Sequence, residues 1–521
     1  MSDPRDQEKK MPAVPPPPVD PTRAERRAAR ALSKERSAAA GTDSVATVPP
    51  KPPRDRRASA ARRRRNAMRT AVGAVGVVLA ATAVVLPQLL PLPAATRAAE
   101  GVSVTPVAAD SALVCGGDLL DATDPEELRA LEGSRSAVWP DGVATDSAVL
   151  DEPDVAAPGS GIARLVVPAG ADPTPGGATT QSIATETVSG LSALGCAEPS
   201  ADSWIVGGST DVGSTSVLVL ANASEVAATV DLSLYGENGP IAATGSTGIV
   251  VPPGTVRALP LAGLAPDVVQ PVVRMTARGG EIAASLQSTA IAGLTPVGVE
   301  ATAPSAAPST LTVVSGYRIS TPPAETSSDD GTGGAGSPVL RILAPGEADS
   351  TVSIEVANED PSGAGTSTQV VVPAGRVGEV PLSGLAEGSY RITLTSDEPV
   401  VAAGRTTSTG SAGTDYAWFA SGTSTSTPFG VAGTGEPGAR LHLANGSDTT
   451  ASVVLDSASG SRTVEIGPFA SATVDPGVDP LVVTSDQPVQ ASVSIASDGR
   501  LAAYPIVPPG PLSSPITVYS H

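Results

Sequence analysis

Two histidines, two cysteines and a few clustered carboxylates are the residues of this 521-residue chain whose types could do chemistry. His442 stands between Leu441 and Leu443. That alternation describes a strand with one face inward, so the spacing predicts a half-buried strand residue and not a base. His521 is the last residue, and neither histidine lies in a motif that would build a Ser-His-acid set. H-E-x-x-H, a Walker loop and a nucleophile elbow between strand and helix are absent, and the cysteines lack metal-ligand spacing. The expectation is no catalytic residue, no cofactor and no metal: a chain that is not an enzyme.

Cys115 and Cys196 both follow an apolar stretch. An even pair on that side reads as a disulfide, with two buried thiols as the alternative. Asp151-Glu152-Pro153-Asp154 and Asp329-Asp330 offer carboxylate oxygens without the spacing of a calcium loop, so both read as solvated loops. Asn222-Ala-Ser and Asn445-Gly-Ser match a glycosylation acceptor but read as turns. Trp204 and Trp418 each follow an aspartate by two or three residues. Packing anchors are the first reading and ligand platforms the second.

Charge separates the surroundings these residues would meet. Residues 1–70 carry 18 Lys and Arg against 8 Asp and Glu, and the remainder 15 against 45, so +10 and −30 make the total of −20. An acidic main body excludes phosphate-backbone recognition, so no nucleic acid is expected as a partner. Aromatics at 2% also lower the case for a sugar-binding groove.

No charge falls between Arg69 and Arg97, and residues 70–92 are rich in Ala, Val and Leu. About 20 apolar residues cross a bilayer, so this segment reads as one transmembrane helix in contact with membrane lipid. Pro87, Pro91 and Pro93 weaken its far end. Arg62 to Arg65 and Arg69 on the near side hold the N-terminus in the cytoplasm and send the C-terminal region out. A cleaved signal peptide would need a charged region far longer than usual before its apolar part. Residues 1–69, rich in Pro, Ala and Arg, read as a disordered basic tail.

Beyond residue 100, short alternating apolar runs separated by turn residues predict an all-β exterior. Residues 124–131 (DPEELRAL) are the one stretch that reads as a helix. A unit recurs three times. It opens on SVLVLANAS from Ser216, PVLRILAPG from Pro338 and ARLHLANGS from Ala439. A Val-Val-Pro-x-Gly element follows at 250–254 and 371–375, with a degenerate copy at 466–469. This organisation predicts a divergent β segment with the disulfide at 93–200, then repeats at 201–310, 311–410 and 411–521. Tandem immunoglobulin-like sandwiches are the expected fold, with a propeller-like arrangement as the alternative.

Cys115-Gly116-Gly117, the run from Gly190 to Cys196, Asp202-Ser203-Trp204-Ile205-Val206-Gly207-Gly208 and the strand from Leu218 to Asn222 resemble a family of actinobacterial single-pass surface proteins grouped as a domain of unknown function. The resemblance spans residues 100–505. It implies a cell-envelope location and carries no catalytic residue to this chain. The functional expectation is a membrane-anchored structural or interaction protein holding an envelope protein or cell-wall partner. The alternative is a carbohydrate-binding or wall-processing accessory.

Overall fold

The computed structural model describes residues 102–104, 110–507 and 516–518, except 125–126, 141–143, 170–174, 321–336 and 361–362. The expected tail and transmembrane helix, and the Asp329-Asp330 loop, lie outside the described residues. Among the described residues the chain is all-β, with one single-turn 3-10 segment at Leu261–Gly263. No helix among them is long and apolar enough to cross a membrane.

In the first repeat, Asp202–Val206, Val272–Arg278 and Ala228–Gly236 form one sheet, and Val256–Pro260, Ser214–Ala221, Ala283–Ala292 and Thr295–Thr302 the other. Ala228–Gly236 buries every second residue, as a strand with one core face must. Leu218 and Leu220 from one sheet meet Val230, Leu232 and Met275 from the other in a shared core. The second repeat is held by one 23-residue strand, Gly388–Gly410. Its first half pairs with Ser309–Ile319 and Ser350–Asn358, and its second half with Val339–Leu343 and Gly413–Ala420. The third repeat has two four-stranded sheets over one core, including Leu441, Leu443, Val453 and Val493.

Turn geometry shows the repetition at atomic level. The Asn222 side-chain amide donates to the carbonyls of Val226 and Val251, and its oxygen accepts from Ser224. Asn445 does the same with Thr449, Ile466 and Ser447. Both asparagines are buried, so they are turn-builders, as the sequence reading has it. The Pro-Gly element turns at Gly254 (φ 66°) and Gly375 (φ 67°). In the degenerate copy Phe469 occupies the same left-handed position, at φ 49°, where a side chain is strained.

The N-terminal segment is built of small sheets and a hairpin of Gly176–Ala184 with Ser189–Gly195. The expected helix at 124–131 is not formed. Leu128–Leu131 is a strand, antiparallel to Leu119–Asp121 and parallel to Val155–Ala157. So short a segment cannot stabilise a helix alone, and strand pairing lets Leu128 join Leu120 and Val155 in a core. Cys115 and Cys196 form the disulfide across a separation of 81 residues.

These units do not follow one another as separate beads. Each of the four ends in a hairpin whose last strand points to a common centre: Ser189–Gly195, Thr295–Thr302, Gly413–Ala420 and Arg500–Ile506. The four inner strands pack in a closed ring, first on second, second on third, third on fourth and fourth on first. Glu100–His521 is accordingly one compact unit. Units set around a centre differ from a string of tandem sandwiches, and units of two sheets differ from single-sheet propeller blades. The strand carrying Trp418 completes the second repeat's sheet and does not open the third.

Candidate functional site

Each inner strand is the edge of its own sheet and pairs only with the strand before it in its hairpin. Between units the contacts are therefore made by side chains and by backbone groups that no ladder satisfies. Small residues permit the approach: a Cβ on Gly190 would collide with Val299 and Asp415, and one on Gly298 with Tyr416.

Asp415 supplies the missing acceptor. Its Oδ2 accepts the amides of Leu191 at 2.7 Å and Leu501 at 3.0 Å, and its Oδ1 those of Val299 at 3.2 Å and Tyr416 at 3.0 Å. One carboxylate thus touches all four inner strands, and it is wholly buried. Burial pushes its pKa up to about 8, against the pull of the four donors. Glu300, on the second inner strand, is also fully buried, and its Oε2 has no partner. Burial, and then the charge of Asp415, drive Glu300 well above the carboxylate range. A proton on Asp415 would face donors only, so of the two carboxyls Glu300 holds a proton more readily.

The interfaces between units carry their own polar locks. The Arg341 guanidinium donates to the carbonyls of Gly208, Pro271 and Val269 in the first repeat. It also pairs with Glu379 and lies 4.4 Å over the Trp418 ring. Burial lowers its pKa to about 10, with Glu379 opposing. Between the second and third repeats, His442 Nδ1 is 2.6 Å from Glu359 and its Nε2 is 2.8 Å from Ser494 Oγ. Burial would raise Glu359, but His442, Thr473 and the Gly316 amide hold it below the ordinary range.

The order Ser494–His442–Glu359 has the spacing of a nucleophile, base and orienting acid. Ser494 is only 1% exposed and Glu359 6%, and the three side chains join the second repeat to the third. His442 departs from the half-buried strand residue expected of it. Leu441 and Leu443 face their own core, and the opposite face meets the neighbouring repeat instead of water.

The ring has an open end. Where the four inner strands finish, a cavity of about 290 Å³ is walled by Cys115 and Cys196, by Ala303 to Ala307, by Ser421 and by Val507. Each of the four units contributes to it. Its lining is mainly aliphatic, with several serine hydroxyls and no aromatic or basic side chain.

The sequence-derived candidates fall around this frame. The disulfide forms one wall of the cavity. Trp204 and Trp418 are brought together in one cluster at the contact of the first and second repeats. Trp204 stacks on Tyr235 and lies beneath Arg274, while Trp418 lies beneath Arg341 and Arg405. Of the 151–154 carboxylates, Asp154 reaches across to the first repeat, pairing with Arg257 at 2.6 Å and accepting the Ala258 amide at 3.1 Å. No group of metal-binding side chains occurs among the described residues. Asp415, Glu300, Arg341 and Glu359 were not anticipated. For Arg341, Glu300 and Asp415 the signal was a lone charge beside or inside an apolar run, as in VLRIL and TDYAWFA; Glu359, next to Asp360 in a polar turn, gave none.

The model of a family of unknown function, DUF5719, matches residues 153–477. The chain belongs to that family. The DUF5719 match takes in all of the first and second repeats and Asp415, and it stops before the fourth inner strand. Cys115 lies outside it. No curated protein and no solved structure matches the chain.

Proposed function

We propose that this chain is a membrane-anchored cell-envelope protein whose acidic β region works outside the membrane as a rigid, non-catalytic holder of a partner. The observation that carries the placement is one uncharged segment, residues 70–92, between a +10 half and a −30 half. The disulfide fits an oxidising compartment on the far side of that segment. The holding role follows from how the interior is used. Asp415, Arg341 and the Glu359–His442 contact, all buried, each fasten one unit to another. A fold spending its buried ions on rigidity is suited to presenting a surface.

A carbohydrate-binding accessory has less in its favour. Such a site needs aromatic faces open to a sugar, and Trp204 and Trp418 are both buried between units.

Protease added to intact cells tests the placement. A C-terminally tagged chain should lose its tag at the surface while a cytoplasmic marker survives. Protection of the tag until the cells are lysed would contradict the proposal.

A further inference from the structure

We propose that the axial cavity is a binding site for a small, neutral, largely aliphatic molecule that carries a hydrogen-bonding oxygen, such as an ester, amide or alcohol. The inference holds whichever side of a membrane residues 100–521 occupy.

Four observations lead there. First, position: the cavity lies where all four inner strands end, so every unit of the ring shapes it. Second, size: about 290 Å³ is just under the roughly 300–1,000 Å³ of small-molecule sites, which suits a metabolite-sized group or the end of a chain and not a folded partner. Third, buried polarity: Ser305 and Ser421 are among the lining residues, they are 8% and 1% exposed, and their hydroxyls have no partner in the protein. Buried hydroxyls are almost always satisfied, so two at one cavity mark where a ligand oxygen would sit. Fourth, charge: the only ionisable residues in the lining are Glu198 and Asp202. Asp202 is already taken by a two-pronged contact with Arg274 at 3.0 and 2.6 Å. Nothing there would neutralise an anion, and nothing stacks on a sugar ring.

The test uses the full chain in lipid nanodiscs, with empty nanodiscs subtracted to remove partitioning. N-octylacetamide is titrated calorimetrically beside octanoate, octylammonium and glucose. Saturable one-to-one binding of the amide is expected, with octanoate and glucose failing to bind. The double variant Ser305→Ala, Ser421→Ala should bind at least about fivefold more weakly, the loss of two modest hydrogen bonds. It should melt no lower than the parent, because those hydroxyls have no protein partner. Ala307→Trp, placed at an exposed lining position, should block binding without unfolding the chain. If the site is filled by lipid carried from the membrane, native mass spectrometry will find one neutral lipid on the parent and none on Ala307→Trp. That result assigns the ligand's source to the bilayer. No saturable amide binding together with no carried lipid, an affinity unchanged in both variants, or a preference for octanoate or octylammonium would overturn the proposal.

Discussion

Asp415 Oδ2 accepts the backbone amide of Leu191 at 2.7 Å, although 224 residues separate the two in sequence. The same oxygen reaches Leu501, so the first, third and fourth inner strands share one atom. Asp415→Ala would leave four buried amides without an acceptor, at a cost of about 3–5 kcal/mol or more. Asp415→Asn keeps one accepting oxygen but turns an amide toward two donors, and should lose about 2 kcal/mol or more. Chemical denaturation of both variants against the parent checks the order.

Glu300 makes a pH prediction of definite sign. Its folded pKa lies above its ordinary 4.5, so unfolding releases a proton once the pH exceeds that value. Its cost to stability is absent below pH 4.5 and grows as the pH rises toward its folded value. Glu300→Gln should therefore raise the melting temperature at pH 8, with the gain shrinking to nothing near pH 4. A gain that is flat with pH would show that the carboxyl is not the cause.

The opposite sign applies to Glu359. It holds its charge more firmly folded than unfolded, so its contribution is complete above 4.5 and is lost as pH falls through its lower folded value. Replacing its partner, as in His442→Ala, strands a buried carboxylate and should cost about 3–5 kcal/mol at neutral pH. The penalty should diminish in acid. Denaturation midpoints measured from pH 7 down to pH 3 will show the convergence.

Phe469 sits in a left-handed turn position that two sister repeats give to glycine, and it is 55% exposed, so little packing is lost with the ring. Phe469→Gly should stabilise by up to about 1 kcal/mol, the relief of strain exceeding the entropy of the added glycine. Differential scanning calorimetry would register a higher melting temperature. The same exchange at Gly254→Phe should destabilise.

The repeats were legible because their signals are local. Alternation in SVLVLANAS and ARLHLANGS, and the Asn and Pro-Gly turns, need only neighbours a few residues away to take effect. The closed ring was not legible for the converse reason. Period-2 patterning assigns one strand face to a core and the other to water, and here the second face of many strands meets another unit. His442, Arg341 and Asp415 sit on such faces: alternation predicts only half burial for His442, and all three are fully buried. The error at residues 124–131 has a similar source. Capping residues favoured a helix, and long-range pairing of Leu128–Leu131 prevailed. The disulfide needed only an even pair and a compartment argument.

Within residues 110–507 the four units form one ring fastened at Asp415 and not a row of independent domains. Amide hydrogen exchange on the full chain, parent against Asp415→Asn, addresses it directly. Protection should fall together at Leu191, Val299 and Leu501, in three different units far apart in sequence. Loss confined to the hairpin of Gly388–Gly410 and Gly413–Ala420, with the other inner strands unchanged, would contradict it.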